Sequence, residues 1–277
     1  MNAPTPPEPA WSEPDLVNPH AAADKASRVQ RMFAAIAPSY DLNNRLHSMW
    51  RDQAWRRKAV RIANPGPADA VLDVACGTGD LTIAFARRLA ALGNAGQPRP
   101  APGQVLGIDF TYEMLPIAAA KTARAQMPAG AVRFATGDAM RLPLADASVD
   151  VVSIAFGIRN VADSAAAMRE FHRVLRPGGR LIVLEFSIPA SAPLKAGYMF
   201  YFKHVMPRTA ALIARDRSGA YRYLPQSVST FIDRPGMVRL YEQAGFEQIA
   251  LEPLTFGIAV CYRGVKKTQE SQEVQEA

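Results

Sequence analysis

The amino-acid sequence predicts a doubly wound α/β fold built on a mostly parallel β-sheet. Short runs rich in valine, isoleucine and leucine recur along the chain, and segments with helical character separate them. Alternating strands and helices favour a parallel sheet that is covered by helices on both faces. The continuous apolar character of the run VDVVSIAF is typical of a strand buried on both sides. The predicted strands of this sheet are Ala70–Ala75, Val105–Asp109, Val132–Thr136, Val149–Phe156 and Arg180–Phe186.

Helical patterns precede, connect and follow these strands. The segment Arg28–Val60 reads as helical with an interruption at Pro38, because proline cannot continue a helix. A breaker at Pro177-Gly178-Gly179 ends one helix before the next strand, and Leu194–Arg215 is a long aromatic insertion with helical character. Strands within Ile249–Tyr262 are expected to close the sheet edge. The remaining predicted helices are Leu81–Leu92, Tyr112–Gln126, Ser164–Leu175 and Met237–Ala244.

The composition predicts one packed domain between two disordered tails. Residues 1–26 are rich in proline and alanine and residues 268–277 are polar, which leaves 27–267 as the domain. Gly93–Gly103 is expected to be an inserted surface loop. No apolar run approaches the ~20 residues of a membrane span. The two cysteines, Cys76 and Cys261, have no metal-ligand spacing, so we expect a reducing, cytoplasmic location and no metal.

The charge of the chain predicts a polyanionic partner. The formal net charge is +7, and the densest basic clusters are Arg45–Arg61 and Lys203–Arg222. Such clusters suit nucleic acid or an anionic membrane face. An ordinary solvated basic surface is the alternative interpretation.

The strongest local signal is the segment DVACGTGD, residues 73–80, at a predicted strand-to-helix turn. Glycine lets a backbone approach a ligand closely, and a helix start offers unpaired N–H groups. Gly77 and Gly79 are therefore candidate ligand contacts. Thr82 stands where the dinucleotide fingerprint needs glycine or alanine, which argues against a nicotinamide dehydrogenase. Asp73 on the strand favours a cationic ligand over a pyrophosphate.

Two further acidic positions follow the next strands. Asp109 ends the second strand, where a carboxylate can accept hydrogen bonds from ribose hydroxyls, and Asp138-Ala139 follows the third. This is the order of contacts in sites for S-adenosylmethionine (SAM): the glycine loop faces the methionine moiety, the second acid holds the ribose and the third loop flanks the adenine. The sequence therefore predicts SAM as the cofactor. A nucleotide-like turn without a ligand is the alternative.

Six longer segments carry a more specific pattern. They are MFAAIAPSYDLNN (32–44), VLDVACGTGDLT (71–82), GIDFTYEML (107–115), FGIRNVAD (156–163), RVLRPGGRLIVLEFS (173–187) and YRYLPQSVSTF (221–231). Together they resemble the ubiquinone/menaquinone biosynthesis C-methyltransferases, class I SAM enzymes that methylate a polyprenylated quinol ring. The resemblance covers roughly Val29–Lys267.

This resemblance implies the Rossmann-like class I SAM-methyltransferase fold, with a seven-stranded, mostly parallel sheet and an N-terminal helical lid. The lid would be residues 27–62, and residues 193–225 would form a substrate-side insertion. The implied activity is C-methylation of demethylmenaquinol to menaquinol, or of a ubiquinone precursor. Motif matching places SAM contacts at Thr78, Asp109, Asp138 and Ala139, and substrate contacts at Arg159 and Asn160.

The chemistry of quinol methylation assigns roles to the two substrate residues. A ring hydroxyl must lose or share its proton so that a ring carbon can attack the sulfonium methyl, and no metal is required. The guanidinium of Arg159 stays protonated, so we interpret it as an electrostatic clamp on the developing phenolate rather than as a base. Asn160 would orient a ring oxygen, and a loop salt bridge with a turn is the alternative for this pair. Tyr40, Asp41 or water are candidate bases.

Other functions fit less well. A methyltransferase for RNA or for another small aromatic substrate is the main alternative, although the chain lacks an Asp/Asn-Pro-Pro-aromatic motif and a Pro-Cys nucleophile. A SAM-binding scaffold without activity is the third hypothesis. The segment Trp50–Gln53 replaces a motif common in members that serve both quinones, which favours demethylmenaquinol.

The expected partner is a polyprenyl quinol at the inner face of the cell membrane, not nucleic acid. Tyr198–Phe202 is apolar enough to line a prenyl groove, with core packing as the alternative. Because a polyprenyl quinol lies in the bilayer, we expect peripheral membrane binding through the two basic clusters. A homodimer is an open alternative to a monomer.

Overall fold

A computed structural model describes residues 10–12, 14–93, 104–206, 208–209 and 219–268. Seven strands form one sheet in the order β3-β2-β1-β4-β5-β7-β6. Strands β1 to β5 run parallel, and β7 is antiparallel to both of its neighbours. The predicted doubly wound, mostly parallel, seven-stranded sheet is confirmed. The strands are β1 (Ala70–Val74), β2 (Gln104–Asp109), β3 (Val132–Thr136), β4 (Val149–Ala155), β5 (Leu175–Phe186), β6 (Phe246–Leu254) and β7 (Ala259–Lys266).

Helices cover both faces of this sheet. On one face α3 and α4 bury Trp55 and Phe85, and on the other α6 and α9 bury Phe171 and Tyr241. None of the described helices has the length and apolarity needed to cross a bilayer. The helices are α1 (Lys25–Ile36), α2 (Tyr40–His47), α3 (Arg51–Ala63), α4 (Asp80–Gly93), α5 (Leu115–Arg124), α6 (Ser164–Val174), α7 (Ala192–Phe200), α8 (Ala220–Thr230) and α9 (Arg234–Gln243).

The N-terminal helical region differs from the expected single lid. A break near Pro38 was predicted and is present, but a second break separates α2 from α3. There Met49 and Trp50 adopt left-handed backbone angles, with φ of 50° and 58°, although neither is glycine or proline. Helix α3 packs on the sheet through Trp55. The name lid is therefore kept for α1 and α2 only.

Strand β5 begins earlier than predicted. It starts at Leu175 and includes the expected breaker, Pro177-Gly178-Gly179. The pairing with β4 is irregular between Val149 and Val151, and Gly178 has a φ of 76°. The glycine therefore accommodates an irregular strand start rather than a loop between helix and strand.

The expected N-terminal tail is partly wrong. Residues 10–26, apart from 13, are described and pack against the domain: Trp11 is fully buried, and its ring stacks on Tyr223 with 4.7 Å between centroids. The proline-rich composition of this segment gives no sign that Trp11 packs into the domain. Residues 1–9 of that tail, 94–103 of the predicted loop, and 269–277 of the C-terminal tail lie outside the described residues, as do 207 and 210–218 of the predicted insertion.

Candidate functional site

Two adjoining cavities open where the order of the strands reverses, between β1 and β4. The carboxyl ends of parallel strands at such a reversal are the usual ligand site of open α/β sheets. The loop cavity, about 800 Å³, is lined by the turns after β1, β2, β3 and β4. The aromatic cavity, about 900 Å³, lies between the lid, α7 and α8. Phe33, Tyr40 and Phe156 line both, so the two cavities meet at these three rings.

Asp109 organises the glycine loop as well as facing the loop cavity. Its Oδ2 accepts a hydrogen bond from the Gly77 N–H and its Oδ1 accepts one from the Thr111 N–H, both at 2.7 Å. Position 77 favours glycine because the backbone φ there is 55°. Burial raises the pKa of Asp109, and the backbone donors oppose that rise. The Thr111 hydroxyl is a further donor, and the carboxylate can still accept a hydrogen bond from a ligand hydroxyl because it offers about four acceptor sites.

The turn after β3 completes the predicted lining of the loop cavity. Asp138 accepts the Met140 N–H through Oδ1 at 2.9 Å, and Ala139 is buried beside it. The structure therefore brings Gly77, Asp109 and the pair Asp138-Ala139 to one cavity, in the order the sequence predicts.

Three predicted cofactor residues do not line the loop cavity. A Cβ on Gly79 would lie 3.1 Å from Ala118 and 3.2 Å from Phe134, so this glycine lets the loop pack against α5 and β3. Thr78 donates its hydroxyl proton to Asp41 at 2.5 Å. Asp73 is buried beneath the loop, as described next. These residues shape the loop instead of facing the cavity.

Asp73 joins three elements under the glycine loop. Its Oδ2 accepts from the Thr82 hydroxyl of α4 at 2.6 Å, and its Oδ1 accepts from the Ser153 hydroxyl of β4 at 2.8 Å. Burial raises the pKa of Asp73 to about 6, against the two hydroxyl donors. The structure thus gives Asp73 a supporting position rather than the contact with a cationic ligand that the sequence suggested.

A polar cluster fastens the lid to the glycine loop. The Lys121 ammonium group donates to Asp41 Oδ2 at 2.7 Å and to Thr78 Oγ1 at 3.1 Å, and it also pairs with Asp80. Asp41, a candidate base, is therefore held by Thr78 and Lys121. Tyr40, the other candidate base, lies at the junction of the cavities. Burial raises the pKa of Tyr40, so its phenol stays protonated at neutral pH and acts as a hydrogen-bond donor.

Arg159 lines the aromatic cavity and is also part of a buried ion pair. Its Nη1 donates to Glu185 Oε1 at 2.7 Å and to the Phe156 carbonyl at 2.6 Å, and the guanidinium carbon lies 5.4 Å from the centre of the Phe186 ring. Burial raises the pKa of Glu185, and the positive charge of Arg159 opposes that rise. The salt bridge considered as an alternative is therefore present, and it holds Arg159 at the cavity wall. Sequence reasoning missed Glu185, which reads as an ordinary strand residue.

Asn160 faces the loop cavity although it follows Arg159 directly. Its Oδ1 accepts from the Tyr223 hydroxyl at 2.9 Å, and its Nδ2 donates to the Phe156 carbonyl at 3.3 Å. The amide group is thus fixed in one orientation, and one Nδ2 hydrogen is not used by these two bonds. The sequence predicted that both residues face the substrate, whereas the structure places one in each cavity.

Tyr198 belongs to the segment that the sequence expects to line a prenyl groove, but a polar contact of its hydroxyl was not predicted. Its ring stacks on Phe202 at 4.8 Å between centroids, and its hydroxyl is buried without a hydrogen-bond partner among the described residues. It lines the aromatic cavity together with Arg159. A buried hydroxyl without a partner is costly, so this position suits a ligand oxygen.

Within the part of the chain that the structure describes, no three His, Cys, Asp or Glu side chains are grouped as a metal site requires. The groups around the two cavities are instead hydrogen-bond donors, carboxylates and aromatic rings. They can bind and orient an organic ligand in each cavity.

Two curated proteins with similar sequences have the same name. A demethylmenaquinone methyltransferase of Deinococcus radiodurans is 43% identical over 244 residues, which is 88% of this chain and 95% of that protein. A demethylmenaquinone methyltransferase of Bacillus cereus is 38% identical over 242 residues, covering 87% of this chain and 97% of that protein.

Solved structures with similar folds include methyltransferases that act on other substrates. One is a possible histamine N-methyltransferase from Thermotoga maritima, with a TM-score of 0.57 and 20% identity over 86% of this chain and 99% of that chain. Another is phosphoethanolamine N-methyltransferase 2 of Haemonchus contortus in complex with SAM, with a TM-score of 0.54 and 15% identity over 79% of this chain and 53% of that chain. At these identities the likeness shows the fold. The family model of the ubiE/COQ5 methyltransferases matches residues 21–266, and the chain belongs to this family.

Proposed function

We propose that this chain transfers a methyl group from SAM to a ring carbon of demethylmenaquinol, which yields menaquinol. The observation that carries the proposal is the meeting of two cavities of different chemistry at Phe33, Tyr40 and Phe156. One cavity has a buried carboxylate suited to ribose, and the other has aromatic walls and a fixed guanidinium. The names of the relatives at 38–43% identity support the choice of ring.

The residues of the loop cavity fit SAM. Asp109 can accept a hydrogen bond from a ribose hydroxyl because its two backbone donors and the Thr111 hydroxyl leave part of the acceptor capacity of the carboxylate unused. Phe110, Ala139 and Met140 offer apolar surface for the adenine. Gly77 carries no side chain that would fill the space beside Tyr40, since a Cβ there would lie 3.9 Å from the Tyr40 ring. When bound, SAM supplies an electrophilic methyl group on a sulfonium.

The residues of the aromatic cavity fit a quinol. Arg159 is held by Glu185, so it presents a fixed donor to a ring oxygen rather than a mobile charge. Tyr198 offers a hydroxyl for a ring oxygen, and Tyr40 offers a protonated phenol at the junction. Loss of the quinol hydroxyl proton makes the adjacent ring carbon nucleophilic, and these donors stabilise the phenolate that forms. The ring carbon would gain the methyl group as the bond from that methyl to sulfur breaks and leaves a neutral thioether. The carbon would then release its own proton to water, which restores the aromatic ring.

The lid, the break between α2 and α3, and α7 also carry exposed apolar side chains, which support activity at a membrane surface. Leu42, Met49 and Trp50 are 53%, 76% and 59% exposed, and Phe200 on α7 is 63% exposed. The same helices line the aromatic cavity through His47 and other side chains. We propose that this face rests on the bilayer in which the polyprenyl quinol lies, as amphipathic interfacial segments do.

The basic cluster of 45–61 is only partly available for this purpose. Arg45 pairs with Asp80, Arg56 is buried against Asp52, and Lys58 pairs with Glu252. The other three arginines of the cluster are exposed on α3 and make no ion pair with any described residue: Arg51, Arg57 and Arg61. The second expected cluster includes Arg215 and Arg217, which lie outside the described residues.

Quinone profiling of a deletion strain by mass spectrometry tests the proposed reaction. A strain without this protein should accumulate demethylmenaquinone, lighter than menaquinone by one CH2 unit. Expression of the wild-type chain should restore menaquinone, and the Asp109→Ala variant, with its weakened cofactor site, should restore much less. An unchanged quinone profile in the deletion strain would contradict the proposal.

A further inference from the structure

One helix holds both predicted substrate residues. Tyr223 of α8 donates its hydroxyl proton to Asn160 Oδ1 at 2.9 Å. Ser227, one turn later, accepts from Arg159 Nε through its hydroxyl oxygen at 3.4 Å. Both α8 residues are buried. The position of α8 therefore sets the orientation of the Asn160 amide and the Arg159 guanidinium.

An N-terminal strap, residues 10–12 and 14–22, lies on this helix at the same two positions. Trp11 stacks on Tyr223 with an interplanar angle of 25°. His20 Nε2 lies 2.9 Å from the Ser227 carbonyl oxygen, and the His20 ring lies 5.4 Å from that of Phe231. The strap thus contacts both of the α8 residues that hold the site.

The strap has its own attachment to the lid. Arg28 of α1 pairs with Asp15 at 2.5 Å and with Asp24 at 2.7 Å, and its guanidinium carbon lies 5.5 Å from the centre of the Trp11 ring. The Trp11 indole N–H is buried without a hydrogen-bond partner among the described residues, so the ring itself makes the contact. The family match begins at residue 21, so Trp11 lies outside the pattern shared by the family.

We propose that Trp11 is a positioning residue for methyl transfer, acting through Tyr223 on Asn160. Loss of the indole would leave the Tyr223 ring without its stacking partner and let its hydroxyl move relative to Asn160. A displacement of about 1 Å in a positioning group can cost on the order of 10²-fold in rate. This inference rests on the proposed function, because the rate in question is that of quinol methylation.

Four single variants test the proposal with purified full-length protein. Trp11→Ala should lower kcat roughly tenfold or more, within the range that mispositioning causes, at a temperature where the variant is folded. Trp11→Phe should restore most of the rate, because the indole N–H makes no bond. Tyr223→Phe should lower kcat while it keeps the stack. Val17→Ala is the matched control, since Val17 belongs to the strap and is 75% exposed.

The double variant Trp11→Ala/Tyr223→Phe distinguishes positioning from simple stabilisation. If Trp11 acts through the Tyr223 hydroxyl, adding Trp11→Ala to Tyr223→Phe should change kcat by less than roughly twofold, because coupled residues are not additive. A lower melting temperature for Trp11→Ala with unchanged kcat would overturn the proposal, and so would effects on kcat that multiply.

Hydrogen exchange separates a failure of this inference from a failure of the proposed function. Amides of residues 220–230 should exchange faster in Trp11→Ala than in Val17→Ala, whatever substrate the enzyme uses. Wild-type protein that does not methylate demethylmenaquinol would contradict the proposed function. The exchange result would still test whether Trp11 stabilises α8. Equal exchange in the two variants would overturn the inference.

Discussion

At the scale of single residues, the most instructive feature is that each carboxylate near the site has a structural partner. Asp109 holds the glycine loop, Glu185 holds Arg159, and Asp41 holds Thr78. Sequence reasoning found Asp109 from its place at the end of a strand. It could not find Glu185, because the partner of Arg159 lies on a strand 26 positions away and nothing local marks it.

We expect Asp109→Ala to raise the Kd for SAM about ten- to a hundredfold, because charge-assisted hydrogen bonds are worth ~1.5–3 kcal/mol. Isothermal calorimetry measures this, and Asp146→Ala is the control, since its side chain is 78% exposed. A 2′-deoxyribose analogue of SAM separates direct contact from loop disruption. Wild-type protein should bind the analogue less well than SAM, and the variant should bind both alike. Unchanged SAM binding by the variant would show that Asp109 does not contact SAM.

Arg159→Lys should lower kcat on the order of 10²-fold while the Kd for SAM stays close to wild type, because a fixed donor to developing negative charge is lost. Lysine keeps a positive charge beside Glu185 but lacks the planar fork. Alanine is a poorer choice, because an uncompensated buried carboxylate costs ~3–5 kcal/mol of stability. Steady-state kinetics with calorimetry of SAM binding test the expectation. Wild-type turnover in the lysine variant would exclude a catalytic role for the guanidinium.

Tyr198→Phe should raise the KM for the quinol about two- to tenfold, the worth of one neutral hydrogen bond. The melting temperature should stay the same or rise, because a buried hydroxyl without a partner is removed. Tyr201→Phe is a matched control: the Tyr201 hydroxyl lies 3.2 Å from His47 Nδ1, so its removal should lower the melting temperature. A lower melting temperature for Tyr198→Phe, or an unchanged KM, would contradict the assignment of this hydroxyl to the substrate.

Asp73 predicts a pH dependence of stability. Its pKa is about 6 in the folded protein, compared with an ordinary value of 3.8. Between these two pH values the folded state therefore binds more protons than the unfolded state. Its contribution is most favourable below about pH 4 and is lost as the pH rises through about 6, a change of up to about 3 kcal/mol. Asp73→Asn lacks this titration. As the pH rises from 4 to 7, its free energy of unfolding should therefore increase relative to that of wild type by up to that amount. Urea titrations measure it, with Asp146→Asn as the control; parallel curves for wild type and Asp73→Asn would contradict the raised pKa.

At the scale of elements, the sequence predicted every strand of the parallel sheet, because apolar runs bounded by turn residues leave little choice. It missed the start of β5, where Gly178 permits an irregular strand, and the break between α2 and α3. That break lies at Met49 and Trp50, two residues with no intrinsic preference for left-handed angles, and the Trp50 N–H closes the end of α2 by donating to the Arg45 carbonyl at 2.8 Å. The same break leaves both side chains exposed beside the arginines of α3.

The exposed arginines of α3 predict salt-sensitive membrane binding. Replacing Arg51, Arg57 and Arg61 by Gln should reduce flotation with anionic liposomes, because each basic residue near such a surface is worth up to ~1 kcal/mol. The control, with the same change of charge, replaces three exposed arginines of α5, α6 and α9: Arg124, Arg169 and Arg239. Wild type should float with anionic vesicles at low salt and much less at high salt. Equal flotation of the two triple variants would show that α3 does not face the membrane.

At the scale of the whole molecule, the sheet topology explains why the site could be predicted in outline but not in detail. The four parallel strand ends place Gly77, Asp109, Asp138 and Asn160 around one cavity. The parallel direction of these strands follows from the alternating pattern of strands and helices. The aromatic cavity depends on contacts between distant segments, such as His47 with Tyr201 and Trp11 with Tyr223. No local pattern encodes such contacts, so Glu185, Trp11 and the unpartnered hydroxyl of Tyr198 emerge only from the structure.

The central claim is that one chain brings SAM and a quinol together across the junction of two cavities. Incubation of purified protein with SAM labelled in the methyl group tests it most directly, with demethylmenaquinol and RNA offered in parallel. The label should enter the organic extract, on a ring carbon of menaquinol, and Arg159→Lys should slow its transfer. Label in RNA, or none in the quinol, would contradict the account.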